Sequence, residues 1–415
     1  IEPELDHNEE QIREWLELNQ DAPLISVIIP TYNTNSNHLR ECIESVCRQS
    51  YPNWELCICD DSSSAVSVKT ILRSYQSSDP RVKLIFREKN GHICEASNDA
   101  LRMATGEYVA LLDHDDILAD NALYWVAREL QKKPQANLIY SDEDKVNDYG
   151  MRACPHFKPA FNIDLLLSYN FISHLGVYRR EILKQIGGFR VGFEGSQDHD
   201  LALRTVLESS PDQIIHIPRV LYHWRAHSES TASNPDSKDY TTESGHKAVQ
   251  HFLDEQHRRG GVRATARIKA KNRFTCQWHI PEKSPSVELI IPTRDQAEVL
   301  NLAVDSIITK TTYTNYTITV VDNQSEEVAT KNLFKNLKRV HGEKINIIKY
   351  NKKFNYSAIN NYAVRKSTAD IVVLVNNDVE VISSKWLQEI VSHTSRPDVG
   401  CVGAKLYYSN GTIQH

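Results

Sequence analysis

The stretch LISVIIP at residues 24–30 decides the fold, because it is a mostly β-branched, apolar run that ends at a proline. Such a run is typical of a strand that is buried on both faces of a parallel sheet. A helix is predicted to follow over about 37–49, with Asn37 as its N-cap. The stretch therefore predicts the first strand and helix of an α/β domain.

The same alternation continues along the next 80 or so residues, where three further strand-like runs are separated by helical stretches. The strands are predicted in WELCICDD (54–61), VKLIFRE (82–88) and GEYVALLDHDD (106–116), and the helices at about 65–77 and 93–105. Strands that alternate with helices predict a mostly parallel, Rossmann-like sheet.

Polar residues that can carry chemistry follow three of these strands. In open α/β sheets, ligands bind in the crevice at the carboxyl ends of the strands. The sequence therefore predicts one binding site built from the three strand ends, which are Pro30-Thr31-Tyr32, Asp60-Asp61 and Asp113-His114-Asp115-Asp116.

An internal repeat organises the rest of the chain. SVIIPTYN (26–33) recurs as ELIIPTRD (288–295), and the shift of 262 between Pro30 and Pro292 (292 − 30) equals that between Asp60 and Asp322 (322 − 60). A period this long exceeds that of solenoid repeats, so it indicates a duplicated domain. The predicted organisation is a helical lead-in (1–23), a first domain (24–275) and the N-terminal part of a second domain (286–415).

The composition of the chain is that of a globular protein and argues against several other classes. The 415 residues are 40% hydrophobic and 25% charged, which is typical of a globular chain. The formal net charge of −6 argues against a dedicated nucleic-acid binder. No apolar run is long enough for a transmembrane helix. The even count of eight cysteines allows disulfides, but a chain this long needs none, so reduced thiols in a cytosolic protein are predicted. The absence of a C-x-x-C pair argues against a zinc ribbon.

In this order, the motifs IIPTYN, DDSS, SNDALRMATGEYVALLDHDD (97–116) and GFEGSQDHDLALR (192–204) resemble family-2 glycosyltransferases. Two modules in tandem are similar to bacterial enzymes of surface-polysaccharide and O-antigen assembly, over about 24–250 and 286–415. The resemblance implies two GT-A folds. It also implies an inverting, metal-dependent transfer of a sugar from a UDP, TDP or GDP donor to a hydroxyl of a growing glycan or lipid-linked oligosaccharide.

The resemblance implies a metal site and a nucleotide-sugar donor site in the first module. Asp113 and Asp115 form a D-x-D after a strand, and two such carboxylates can jointly ligate Mn²⁺ or Mg²⁺. The alternative is a solvated acidic turn. The predicted nucleotide-binding residues are Pro30, Thr31, Tyr32, Asp60, Asp61, Asn90, Asn98, Asp113 and His114.

Asp198, in Gln197-Asp198-His199-Asp200, is the predicted general base, which would take the proton of the attacking hydroxyl. Its alternative role is an acid favoured at a helix N-terminus by the macrodipole. In LYHWRAHSEST (221–231), either His223 or His227 is a candidate further metal ligand, and the sequence does not choose between them.

The three acids of YSDEDKV (140–146) either face the acceptor or lie in a solvated loop. The resemblance also places acceptor contacts in the region between this motif and Asp198, where the candidates are His156, Lys158, Asn170 and His174.

In the second module, Asp322 matches Asp60, whereas Asn376 and Asp378 stand where the first module has Asp113 and Asp115. An amide oxygen still ligates but brings no charge, so metal binding should weaken. The residue that would match Asp198 would lie beyond His415, so the second module, as it stands in this sequence, is expected to bind at most.

Two other classes of protein are alternatives to a glycosyltransferase. Nucleotidyltransferases usually carry a glycine-rich loop after the first strand, but this chain has TYNTNSNHLR with no glycine. A non-catalytic nucleotide-sugar or glycan-binding module is the remaining alternative. The expected location is cytoplasmic, and the Lys- and Arg-containing segment 246–273 allows peripheral association with the inner membrane face.

Overall fold

The computed structural model describes residues 9–226 and 240–414, which divide into two compact units. The first unit comprises Ile1–Glu255 with Ala266–Cys276, and the second comprises Gln256–Thr265 with Gln277–His415. No helix within the described ranges is both long and apolar enough to cross a membrane.

Strands and helices alternate in the order that the sequence predicts. The strands up to residue 278 are β1 (Ile25–Thr31), β2 (Trp54–Asp60), β3 (Val82–Phe86), β4 (Tyr108–Leu111), β5 (Ile117–Leu118), β6 (Leu138–Val146), β7 (Arg152–His156), β8 (Gly176–Arg179), β9 (Ile214–Arg225), β10 (Ala264–Ala270) and β11 (Arg273–Trp278). The helices are α1 (Glu9–Leu18), α2 (Ser36–Cys47), α3 (Val66–Ser78), α4 (His92–Met103), α5 (Ala122–Lys132), α6 (Ile163–Ser168), α7 (Arg180–Gln185), α8 (Gln197–Leu207) and α9 (Tyr240–Arg258).

A nine-stranded sheet forms the centre of the first unit, in the order β3-β2-β1-β4-β8-β6-β9-β5, with β7 paired to β6. The first four of these strands are parallel, and β8 joins β4 and β6 in antiparallel pairing. Every residue of β2 is buried, as expected for a strand covered on both faces. The register pairs Thr31 with Asp60 and Ile28 with Leu111, so the polar strand ends meet at one edge.

The predicted N-cap of α2 is wrong by two residues. The cap is Asn35, whose side-chain oxygen accepts from the backbone amides of Asn37 (2.9 Å) and His38 (3.4 Å). Asn37 lies inside the first turn, where its amide is one of the donors that a cap satisfies.

The second unit repeats the first four strands of the first. Its strands are β12 (Val287–Thr293), β13 (Tyr316–Asp322), β14 (Ile345–Lys349) and β15 (Ile371–Leu374), and its helices are α10 (Ala297–Lys310), α11 (Val328–His341), α12 (Tyr356–Val364) and α13 (Trp386–Thr394). The all-parallel order β14-β13-β12-β15 reproduces β3-β2-β1-β4, and Thr293 pairs with Asp322 as Thr31 pairs with Asp60. The predicted α/β fold with two tandem copies is confirmed.

All eight cysteines are free, in agreement with the prediction of reduced thiols. Four of them (Cys42, Cys57, Cys59 and Cys94) are buried, and burial raises the pKa of each thiol. These four cysteines therefore act as small apolar core residues.

Candidate active site

A cavity of about 900 Å³ opens at the carboxyl ends of β1 and β4 in the first unit. Its lining brings together ten of the predicted site residues, from segments up to 168 positions apart (198 − 30). These are Pro30, Thr31, Tyr32, Asp61, Asn90, Asp113, His114, Asn170, His174 and Asp198. The predicted residues Asp60, Asn98, Asp115, His156, Lys158 and His223 are not part of the lining.

The turn after β2 is braced by hydrogen bonds from the turn after β3. Asp61 Oδ1 accepts from the backbone amide of Gly91 (2.8 Å), and Asn90 Nδ2 donates to the backbone oxygen of Asp61 (3.2 Å). Arg87 Nε lies 3.1 Å from Asp61 Oδ1, a contact that no local sequence pattern indicates. The brace fixes one wall of the cavity.

Two buried oxygens at the paired ends of β1 and β2 have no hydrogen-bond partner within the described part of the chain. They are Thr31 Oγ1 and Asp60 Oδ1. The other carboxylate oxygen of Asp60 accepts from the backbone amide of Ser63 (3.1 Å). Buried polar atoms are usually satisfied, so Thr31 Oγ1, which belongs to a residue of the cavity lining, is a place where a polar ligand would complete the hydrogen bonding.

Asn98 lies outside the cavity because both of its polar atoms bind the backbone of Phe189. Its Nδ2 donates to Phe189 O and its Oδ1 accepts from Phe189 N, both at 2.8 Å. Gly188 packs so closely that an added Cβ would meet Asn98 Oδ1 at 2.5 Å. The side chain therefore clamps this turn, and the structure does not bring it to the predicted nucleotide site.

The acidic turn after β4 is tied to β9 through Asp116. Its Oδ2 accepts from Tyr222 Oη (2.5 Å) and its Oδ1 accepts from the backbone amide of Arg225 (2.7 Å). Tyr222 Oη also accepts from the backbone amide of Asp113 (3.2 Å). Burial, followed by the charges of Asp115 and Asp113, raises the pKa of Asp116 well above its ordinary value.

Asp113, Asp116 and His174 offer ligand atoms that all lie within 4.8 Å of one another. The His174 ring stacks on Tyr222 with centroids 4.5 Å apart, which fixes the imidazole beside the acids. Burial raises the pKa of Asp113, the charge of His174 opposes this, and that of Asp115 adds to it. Crowded carboxylates beside an imidazole are the donor set that Mn²⁺ or a similar divalent cation takes, so the residues fit a metal ion.

His223, one of the two predicted histidine ligands of the metal, is not part of this group of three residues. Successive side chains alternate along a strand, so Tyr222 and Trp224 face the cavity side of β9 while His223 faces away. There His223 Nδ1 lies 2.6 Å from Asp144 Oδ1, and burial lowers the pKa of its imidazole. The other candidate, His227, lies outside the described residues.

Asp198 is the second residue of α8 and lines the cavity. Asn170 Nδ2 donates to its Oδ2 at 2.7 Å. The next residue, His199, is buried and also lines the cavity; its Nε2 lies 2.8 Å from Leu166 O, and burial lowers its pKa. The carboxylate of Asp198 is thus held by the neutral amide of Asn170.

The acids of the YSDEDKV motif lie within strand β6 and are buried, so neither an acceptor-facing nor a solvated loop describes them. Asp142 Oδ1 lies 2.8 Å from His216 Nε2, and Asp144 pairs with His223. Glu143 Oε1 lies 3.3 Å from His156 Nδ1, so each acid has its own basic partner. The three buried acids of the motif therefore pair with histidines and connect β6 to β7 and β9.

Glu143 also connects β6 to the cavity through Lys158, whose side chain is fully buried. Lys158 Nζ donates to Glu143 Oε2 (3.2 Å), to Ile172 O (2.7 Å) and to His174 O, while Glu143 Oε2 accepts from the backbone amide of His174 (3.1 Å). Burial alone would raise the pKa of Glu143, but His156 and Lys158 lower it to about 2. The pair holds the segment that carries both Asn170 and His174.

A further wall of the cavity comes from a region that the motifs do not cover. Tyr240 and Thr241, at the start of α9, line it together with the tip of the β10–β11 hairpin, Lys271–Phe274. The hairpin tip overlaps the Lys- and Arg-containing segment 246–273, but that pattern does not indicate a cavity, and about 70 residues separate the tip from Asp198 (271 − 198 = 73). Only the tertiary structure shows that it belongs to the site.

The second unit has the same strand ends as the first, but several of the side chains at those ends differ. Asp322 Oδ1 accepts from the backbone amide of Ser325 (2.8 Å), as Asp60 Oδ2 does from Ser63. Asn323, at the position of Asp61, donates through Nδ2 to Tyr350 O (3.0 Å) and Lys352 O (2.8 Å). Asn376 and Asp378 are exposed after β15.

Comparison with known sequences agrees with this architecture. The sequence model of the family described as "Glycosyl transferase family 2" matches residues 26–187 and 288–415, which together make up well over half of the chain. The protein belongs to glycosyl transferase family 2. The two matched segments begin at β1 and β12, and the predicted family is confirmed.

Two relatives cover almost all of the chain. "Uncharacterized protein y4gI" of Sinorhizobium fredii is 45% identical over 405 residues, which is 95% of this chain and 43% of that protein. "O-antigen biosynthesis protein RfbC" of Myxococcus xanthus is 35% identical over 393 residues, which is 95% of this chain and 30% of that protein. The chain thus spans less than half the length of either relative.

A more distant relative, the chondroitin synthase of Escherichia coli, is 29% identical over 263 residues, which is 63% of this chain and 37% of that protein. Among solved structures, Staphylococcus aureus TarS 1-349 in complex with UDP-GlcNAc has 20% identity and a TM-score of 0.44, over 56% of this chain and 72% of that one. That likeness is too low to bear on function.

Proposed function

We propose that the first unit is an inverting, metal-dependent glycosyltransferase that moves a sugar from a nucleotide-diphosphate donor to a hydroxyl of a growing glycan. The observation that carries the proposal is the single cavity shared by the strand-end residues and Asp198. A relative named for O-antigen biosynthesis supports surface polysaccharide or O-antigen as the product.

The donor nucleotide would lie against the ends of β1 and β2. The unpartnered hydroxyl oxygen of Thr31, which lines the cavity, would complete its hydrogen bonding there, or through water, and Tyr32, which is 48% exposed, is free to pack on a base. Asp113, Asp116 and His174 would hold the divalent cation, with Asp115 adding negative charge beside them. A bound cation supplies positive charge that stabilises a leaving diphosphate.

Asp198 would act as the general base. Its carboxylate lines the same cavity, and the hydrogen bond from Asn170 fixes the orientation of one oxygen. An acceptor hydroxyl that donates to the other oxygen would lose its proton to Asp198 as it attacks the anomeric carbon. Such general-base assistance contributes roughly 10²–10⁴-fold in rate.

The proposal is tested by release of nucleoside diphosphate from a panel of UDP-, TDP- and GDP-sugars, with Mn²⁺ and a bacterial glycan acceptor. We expect one donor class to be turned over, and Asp198→Asn to lose at least about 100-fold in rate while still binding the donor. The exposed Asp212→Asn, which lies outside the cavity lining, is the matched control. Equal turnover by Asp198→Asn would exclude this residue as the base.

The non-catalytic alternative is retained for the second unit. Asn376 brings no charge to the position of Asp113, and both Asn376 and Asp378 are exposed to water. We propose that this unit binds a nucleotide or glycan more weakly than the first.

A further inference from the structure

The tip of the β10–β11 hairpin presents two cationic side chains to the cavity. Lys271 and Arg273 are both exposed, and both line it. The hairpin lies outside the segments that match the family model, which end at residue 187 and resume at 288.

The hairpin tip is fixed against the start of α9. Asn272 at the turn has φ of 50°, and its Oδ1 accepts from the hydroxyls of Thr241 and Thr242, each at 3.1 Å. Phe274 is 3% exposed, and an added Cβ on Gly245 would meet its ring at 2.7 Å. This close packing holds the two cations in place at the cavity wall.

Arg273 lies on the side of the cavity that carries the predicted base, and Lys271 lines the same cavity. The Arg273 guanidinium lies over the Tyr169 ring, 3.9 Å from its centroid, and Tyr169 directly precedes Asn170, the partner of Asp198. Within the described ranges, no carboxylate forms an ion pair with Lys271 or Arg273. Uncompensated cations at a concave wall attract anions, and their hydrogen bonds to phosphate are strong.

We propose that Lys271 and Arg273 form a subsite for a phosphate group carried by the acceptor, next to Asp198. The inference rests on the proposed function, because it assumes that the acceptor enters on the side of the base. The diphosphate of a lipid-linked acceptor and a phosphate on the glycan itself present the same oxyanion. Recognition of that oxyanion orients the acceptor hydroxyl toward Asp198, and no covalent step involves the hairpin.

The test is isothermal titration calorimetry of the full 415-residue chain in EDTA and at low ionic strength, with inorganic diphosphate and glucose 1-phosphate as the probes. EDTA removes divalent cations, so the metal-dependent donor site does not contribute. Lys271→Ala and Arg273→Ala should each weaken binding about tenfold, since each removes one charge-assisted contact. Lys269→Ala removes a charge from the same hairpin but outside the cavity lining, and should change binding less than about twofold.

A preference for diphosphate supports a lipid-linked acceptor, and equal binding of the two probes supports a phosphate on the glycan. No binding of either probe, or equal affinity of the parent and both cavity variants, would overturn the proposal. Binding of a nucleoside diphosphate with Mn²⁺ does not depend on the hairpin, so failure of the proposed function is seen separately.

Discussion

Asn170 Nδ2 donates a 2.7 Å hydrogen bond to Asp198 Oδ2 at the cavity wall. Asn170 begins a short segment whose other end is bound by Lys158, through the backbone oxygens of Ile172 and His174. The orientation of the proposed base therefore depends on a fully buried lysine that does not line the cavity.

Replacing Asn170 tests the hydrogen bond directly. We expect Asn170→Ala to lower kcat about ten- to a hundredfold, because small misplacement of a reacting group is costly. The Kd of this variant for the donor nucleotide should change less than about twofold, since the Asn170 amide contacts the general base Asp198 and not the nucleotide. Steady-state kinetics with donor-binding calorimetry separates the two effects, and a weakened donor Kd with unchanged kcat would contradict this role.

The buried Lys158–Glu143 pair makes a prediction on stability. Lys158→Met leaves Glu143 without its buried cation, so we expect the free energy of unfolding of the first unit to fall by about 3–5 kcal/mol. The double variant Lys158→Met/Glu143→Gln removes both charges and should recover part of the loss. Urea unfolding measures both, and additive losses in the double variant would show that the two residues are not coupled.

Acid should weaken the first unit through Glu143. Its pKa in the folded protein is about 2, against an ordinary value of 4.5, so the unfolded chain binds the proton first as pH falls. The stabilisation is present above pH 4.5 and is lost as pH falls toward 2. The free energy of unfolding should fall by at most about 3 kcal/mol through this group. Glu143→Gln should flatten the pH dependence of urea unfolding in this window, and an unchanged slope would contradict the prediction.

His174 and His223 separate two possible ligand sets for the metal. His174 lies within 4.8 Å of Asp113 and Asp116, whereas His223 pairs with Asp144 on the other side of β9. We expect His174→Ala to weaken Mn²⁺ binding about 10- to 100-fold and His223→Gln to have little effect. Electron paramagnetic resonance of free Mn²⁺ measures both without an activity assay, and the reverse pattern would favour His223.

The sequence predicted the fold well because its signals were local and repeated. The aliphatic run before Pro30 and its copy before Pro292 specify buried parallel strands, and the polar residues after them fall at one edge of each sheet. The cap of α2 was misplaced by two residues because Asn35 and Asn37 have the same capping chemistry, and only backbone geometry distinguishes them.

The site was predicted less completely because several side chains are placed by distant contacts. Asn98 was expected at the nucleotide, yet Phe189, 91 residues away, takes both of its polar atoms. His223 and Trp224 are neighbours in sequence, but strand alternation sends only Trp224 to the cavity. The sequence relates the segment 246–273, which contains Lys271 and Arg273, only to a membrane surface, and tertiary structure places both residues in the cavity that Asp198 lines.

Binding of nucleoside diphosphates tests the central claim most directly. Thermal unfolding of the parent and of Asp113→Ala would be followed with UDP, TDP and GDP, each with and without Mn²⁺. One nucleotide at 100 times its Kd should stabilise the parent by about 2.7 kcal/mol only when Mn²⁺ is present, and Asp113→Ala should lose this gain. Absence of any stabilisation in the folded parent, or the same gain in Asp113→Ala, would contradict a metal-dependent donor site at the end of β4.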